Sequence, residues 1–250
     1  MLAPKNIAKP FILMGVGATL YACSLGGSGG LDEPLFPLKP GQSWTYRTET
    51  LLDDPQAKPR VDKLTIETLA PRQLSAQGGL TAWHRRTNNG VDYWLRSDAT
   101  GVYRVASKGP LDDVPIADAA PRYVLRQPYQ VGTSWEADTT LYVYARRNEF
   151  PHELKHQDKY RTLRMSYRIE AVNESLDTPA GSYSGCLRVV GETVIKLFTD
   201  ATLSMEDVKV TTQESYCPGV GLVRLHRQEH SPTKFIQGGQ ILMELVRHRT

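Results

Sequence analysis

The chain has 250 residues, 40% of them hydrophobic and 23% charged, with a formal net charge of +3. That length suits one sizeable domain or two small ones. Acids and bases are interspersed, which excludes the one-sided basic footprint of a nucleic-acid binder, and removal of Lys5 and Lys9 with residues 1–22 leaves the rest close to neutral.

The N-terminus sets the expected compartment. Lys5 and Lys9 precede the apolar run Phe11–Leu20, which is shorter than the roughly 20 residues a membrane-spanning helix needs. It has the length of a signal-peptide core. At its end, Leu20-Tyr21-Ala22-Cys23 resembles the lipobox of bacterial lipoproteins, where cleavage follows a small residue and the cysteine thiol is diacylglycerated. Leu20, Ala22 and Cys23 match that pattern, while Tyr21 is bulkier than usual. The resemblance implies a lipid anchor on Cys23; ordinary secretion, with Cys23 a free or paired thiol, is the alternative. Ser24 stands where Asp would signal inner-membrane retention, so the resemblance also implies the periplasmic face of the outer membrane. Residues 24–30, Ser-Leu-Gly-Gly-Ser-Gly-Gly, have the composition of a flexible tether. The predicted organisation is a signal peptide over 1–22, a tether over 23–34 and a β domain over 35–250.

The body reads as antiparallel β. Leu64–Glu67 alternates apolar and polar residues, as do Leu141–Ala145 and, most clearly, Leu163–Val172; that period of two marks a half-buried strand. Asn88-Asn89-Gly90 between Trp83–Arg86 and Val91–Trp94 is a hairpin signal. Asp177–Gly181 has turn composition, and Ile241–Val246 is a last strand candidate. The fold class is therefore all-β: one or more curved antiparallel sheets, forming a half-barrel or a sandwich. A faint duplication runs through it. Pro40-Gly41-Gln42-Ser43-Trp44 is echoed by Val131-Gly132-Thr133-Ser134-Trp135, and Gly101-Val102-Tyr103-Arg104 by Gly221-Leu222-Val223-Arg224. These echoes suggest related halves, 35–109 and 123–250, packed as one domain. Trp44 and Trp135 are read as core anchors; Trp83, Tyr93, Trp94 and Tyr103 could line a ligand groove but fit core packing better.

Cys186 and Cys217 flank a hairpin with turn residues at Thr199–Thr202, which brings them nearly opposite each other. An exported chain favours a disulfide here, worth about 3–4 kcal/mol in the chain-entropy model; two reduced, buried thiols are the alternative. Pro179-Ala180-Gly181-Ser182-Tyr183, leading into a strand, and Pro218-Gly219-Val220-Gly221-Leu222-Val223, opening another, resemble a group of uncharacterised bacterial envelope lipoproteins. That likeness covers about residues 35 to 230 and implies an exported β fold, without assigning any catalytic residue. Cys217 departs from the small apolar residue usual at its position.

One string points elsewhere. His152-Glu153-Leu154-Lys155-His156 spells the zinc-peptidase motif, in which two histidines one helical turn apart bind zinc and the intervening Glu acts as base. Glu174, in Asn173-Glu174, resembles the third-ligand region of thermolysin-like peptidases. The context disagrees: Pro151 precedes the motif, Gln157-Asp158-Lys159 follows it, and strand patterns lie on both sides. The segment reads as a hairpin loop. His226 and His230 share the spacing in a strand pattern, where such residues are about 13 Å apart.

The expected function is thus a non-catalytic binding, assembly or structural component of the cell envelope. It would be anchored to the membrane through Cys23, with an envelope protein or a lipid as ligand and no cofactor. A zinc metallopeptidase using His152, Glu153, His156 and Glu174 is one alternative, and a carrier of acyl chains or lipoproteins is another.

Overall fold

The strand alternation read from sequence is carried through by burial. In Leu163–Thr178, Leu163, Met165, Tyr167 and Ile169 are buried and the intervening Arg164, Ser166, Arg168 and Glu170 are exposed. A computed structural model describes residues 33–75, 78–143, 145–146, 163–198, 205–230 and 236–250, all of them in the unit Leu31–Thr250. The first strands are β1 (Ser43–Leu52), β2 (Arg60–Leu74), β3 (Leu80–Thr87), β4 (Asp92–Asp98), β5 (Gly101–Lys108) and β6 (Ile116–Arg126). There follow β7 (Ser134–Thr139), β8 (Ala145–Arg146), β9 (Leu163–Thr178), β10 (Gly181–Phe198) and β11 (Met205–Cys217). The last are β12 (Gly221–Glu229), β13 (Ile236–Gln237) and β14 (Gly239–Arg249).

Twelve of these form one antiparallel sheet, nearly closed into a barrel, in the order β6-β5-β4-β3-β2-β1-β14-β12-β11-β10-β9-β7. β8 and β13 pair separately. The order is one meander written twice, β1 to β6 and then β7, β9, β10, β11, β12, β14. The sequence echoes fall at matching places in it: Trp44 and Trp135 near the starts of β1 and β7, Gly101 and Gly221 at the starts of β5 and β12. Backbone bonds repeat as well. Gly41 N donates to Thr68 O and Thr68 N to Gln42 O, at 2.8 and 2.9 Å; Gly132 N donates to Ile169 O and Ile169 N to Thr133 O, both at 2.9 Å. Gly41 and Gly132 take φ of 84° and 92°, a region that side chains with a Cβ resist. The halves differ most at the β10–β11 ribbon. Thr87 ends β3 opposite Ile66, whereas β10 runs on past Gly191, opposite Tyr167, to Phe198.

Side chains occupy the inner face. Trp135, Met165, Tyr167, Ile169, Val189 and Tyr216 belong to one buried cluster, and Trp44, Tyr46, Val223 and Leu245 to a second. The chain before β1 enters this core: Leu35 is buried, and Gly219 N donates to Pro34 O at 3.0 Å. The Arg85 guanidinium lies 4.1 Å from the Phe36 ring centre and 4.3 Å from that of Trp44, and donates to Pro37 O at 2.7 Å. Burial pushes its pKa down to about 10, against the pull of Tyr46 and Tyr216, so it remains a buried cation at neutral pH. Cys186 and Cys217 form a disulfide between β10 and β11, under a covering that includes Leu176, Ala180 and Tyr183.

The two junctions between the halves differ. β1 and β14 pair from Ser43–Arg249 to Leu52–Gly239. β6 and β7 are the sheet's two ends, linked by the Arg122 side chain, whose Nε donates to Asp138 O. The expected strand Leu141–Ala145 is replaced by a bend in its first residues. Arg227 donates to Thr140 O at 2.7 Å, and the amides of Tyr142 and Val143 donate to the Glu229 carboxylate at 2.8–3.1 Å. Glu229 and Arg227, at 0% and 2% side-chain exposure, pair at 2.6 Å. Ordering the chain end against this buried pair is what stops β7 at Thr139. A charge pair this deep must satisfy its remaining hydrogen bonds, and the bend supplies them.

Candidate functional site

On the outer face, residues that alternate with the core create a polar groove. In β12, Val223, Arg227 and Glu229 are buried, and Arg224, His226 and Gln228 lie between them on the other face. The far end of the β9–β10 ribbon bends over this face: Arg224 donates to Asp177 O at 2.6 Å, and Ala180 N to Leu245 O at 3.1 Å. Between ribbon and sheet lies a hollow of about 560 Å³, with Gln213, Ser215, His226 and Gln240 among its lining. Gln213 and His226 also line a second hollow of about 430 Å³, reaching Ser134, Arg168 and Glu192. The two form one continuous trough.

Its charged groups are held by one another. Arg188 lies 3.1 Å from Glu170 and 3.2 Å from Glu174; Arg224 donates to Glu244 at 3.0 and 2.8 Å. His226 Nε2 is 3.0 Å from Gln240 Oε1. These partly exposed pairs add little stability. They do fix planar guanidinium donors in place, leaving amides and hydroxyls of both donor and acceptor character between them. Such a surface suits a polar ligand with both donors and acceptors. Leu51, Leu176 and Leu242 add a few apolar contacts.

The residues singled out from sequence divide as follows. Cys23, His152, Glu153 and His156 lie outside the described residues, as does the expected turn Thr199–Thr202. Glu174 sits in β9 against Arg188, on a strand and not on a ligand helix. His226 faces Gln240 in the trough, while His230 pairs with Asp53 at 2.9 Å, so the two serve different neighbours. Trp94 and Tyr103 are buried in a third cluster with Leu74 and Ala82; Trp94 stacks on His84 with centres 4.8 Å apart. His84 is buried, Nε2 lies 3.0 Å from Asp92, and burial lowers its pKa. Trp94 and Tyr103 are therefore core, whereas Trp83 and Tyr93, on the alternate positions of β3 and β4, are half-buried. Arg188, Gln213, Arg224, Gln240 and Glu244 also line the trough, and no motif in the sequence points to them. Their only sequence signal is the polar half of each strand's alternation.

No protein-family model and no curated protein matches the chain. Two solved structures align with most of the chain. One is a candidate lipoprotein from Parabacteroides distasonis ATCC 8503, 14% identical, aligned over 87% of this chain and 99% of that one with a TM-score of 0.38. The other is a candidate exported protein with a YmcC-like fold from Bacteroides fragilis NCTC 9343, 15% identical, aligned over 86% and 98% with a TM-score of 0.36.

Proposed function

We propose that the protein is a lipid-anchored, non-catalytic binding component of the bacterial cell envelope, held at the periplasmic face of the outer membrane through Cys23. Its outer-face trough is the binding surface. The observation that carries the reading is the order of parts: an export core, the Leu20-Tyr21-Ala22-Cys23 string, a Gly/Ser tether, and then a chain that enters the β domain at Pro34–Leu35. From Cys23 to Glu33 the chain reaches at most about 35 Å, at roughly 3.3–3.6 Å per extended residue. The domain would therefore work close to the bilayer. The inner face is occupied by core side chains, so the trough is the better receptor for a ligand than the barrel interior.

Cys23→Ala with density-gradient fractionation tests the anchor. The expected result is native chain in the outer-membrane fraction and variant in the soluble periplasm. A variant that stays membrane-bound, or a native chain that bands with the inner membrane, contradicts the reading. A photo-crosslinking residue at Gln213 tests the trough, with an adduct in intact cells expected there and none at exposed Val194. Equal labelling at both positions would remove the trough as the binding surface.

A further inference from the structure

The topology of the sheet sorts its strand ends. Neighbours run antiparallel, and β1 and β7 lie an even number of places apart in the order, so both begin at the same end of the barrel. β5, β10 and β12 begin there too, and β2, β6, β9, β11 and β14 finish there. The chain from Cys23 enters the fold at this end. Leu35 is buried, Gly219 N in the β11–β12 turn donates to Pro34 O at 3.0 Å, and Arg85 donates to Pro37 O at 2.7 Å. Cys23 is at most about 35 Å of extended chain from Glu33, so the end that grips Pro34 is the one drawn toward the bilayer.

Charge is divided between the two ends in the same sense. Lys39, Arg72, Arg126, Arg247 and Arg249 lie on or beside strand termini at the anchor end, and all five are exposed. None of the five forms an ion pair among the described residues. Glu33, Asp98 and Asp177 share this end, but Asp98 already accepts from Thr100 and Tyr103 and Asp177 from Ser182. At the opposite end, the loops 53–59 and 109–115 carry Asp53, Asp54, Asp112 and Asp113 against Lys58. Exposed Leu111 and Val114 belong to that acidic end, which makes their apolar surface a poor match for anionic headgroups.

We propose that the barrel end bearing Lys39, Arg72, Arg126, Arg247 and Arg249 is a contact surface for anionic phospholipid headgroups, and that it orients the domain on the bilayer. The inference rests on the Cys23 anchor, which is what brings this end to the membrane. Basic side chains near an anionic surface are attracted to it over a Debye length. The acidic far end is repelled, so both ends favour one orientation. Val131, 56% exposed in the loop before β7, adds an apolar contact.

Vesicle co-sedimentation of the purified Cys23→Ala chain, which carries no anchor, tests the surface by itself. At low ionic strength, several-fold more chain should sediment with vesicles containing phosphatidylglycerol than with pure phosphatidylcholine. Added salt should abolish the difference. Arg247→Glu/Arg249→Glu and Lys39→Glu/Arg126→Glu should each cut that binding several-fold. Lys58→Glu/Lys196→Glu, the same change of charge at the far end, should not. Two variants of the basic end are used so that the result survives if one folds poorly. Equal sedimentation with both lipids, or an equal loss in the far-end variant, would overturn the proposal. Such a failure alongside an acylated Cys23 in the native chain would remove the lipid contact and leave the anchor; binding alongside an unacylated Cys23 would do the reverse.

Discussion

Arg122 and Asp138 stand at the open seam where Glu244 and Arg47 stand at the closed one. Arg47 and Glu244 are direct partners in the β1–β14 ladder; Arg122 occupies the place of Glu244 beside its own neighbouring strand, and Asp138 is reached by its side chain. The seam is thus in register but unladdered. A guanidinium substitutes for main-chain pairing where β7 is too short to continue.

If Arg122 closes the seam, Arg122→Ala should cost about 0.5–1.5 kcal/mol, the usual net value of one hydrogen bond. Amide hydrogen exchange should accelerate in β6 and β7 while β1 and β14 stay protected. Equal acceleration at both junctions would show that the side chain acts globally.

The buried Arg227–Glu229 pair has a sharper signature. Arg227→Met removes the guanidinium 2.6 Å from a carboxylate at 0% exposure and should destabilise the fold by about 3–5 kcal/mol, the usual cost of breaking a buried pair. Arg227→Met combined with Glu229→Gln removes both charges and keeps an acceptor for the Tyr142 and Val143 amides. Chemical denaturation should show the double variant to be more stable than the single one.

The disulfide closes a loop with a sequence separation of 31. Cys186→Ala/Cys217→Ala, or reduction of the native chain, should lower stability by about 2–4 kcal/mol. Calorimetry with and without reductant measures it, and reductant should have no effect on the double variant.

Glu214 gives a pH dependence. Burial holds its carboxyl above the usual carboxylate range, against the Tyr216 hydroxyl and the charges of Arg122 and Arg227. The folded state therefore keeps this proton to higher pH than the unfolded chain, and stability falls as pH rises from the ordinary carboxylate range through the raised value. Glu214→Gln should flatten that slope, gaining on the native chain at neutral pH and matching it in acid. Denaturation midpoints across pH 4 to 8 would detect it, roughly spanning the range above the unperturbed carboxylate.

Much of this architecture is legible in the sequence because strand periodicity is local. Leu163–Val172 lies inside β9, and the Asn88-Asn89-Gly90 signal falls between β3 and β4. The echoes of Trp44 in Trp135 and Gly101 in Gly221 fall at matching strand starts for the same reason: each half needs its own core anchor and its own turn. Leu141–Ala145 misleads because its amides are claimed by Glu229, 87 residues beyond Tyr142, a contact no local pattern carries. The trough is hidden for a related reason. Arg188, Gln213, Arg224 and Gln240 come from separate strands, and only sheet register and the overhanging β9–β10 ribbon bring them together.

Intact-mass analysis of the mature protein from membranes tests the lipid anchor on Cys23. The expected mass is that of a chain beginning at Cys23 and carrying acyl chains, with residues 1–22 absent. A chain beginning at any other residue, or at Cys23 with a free thiol, would contradict it.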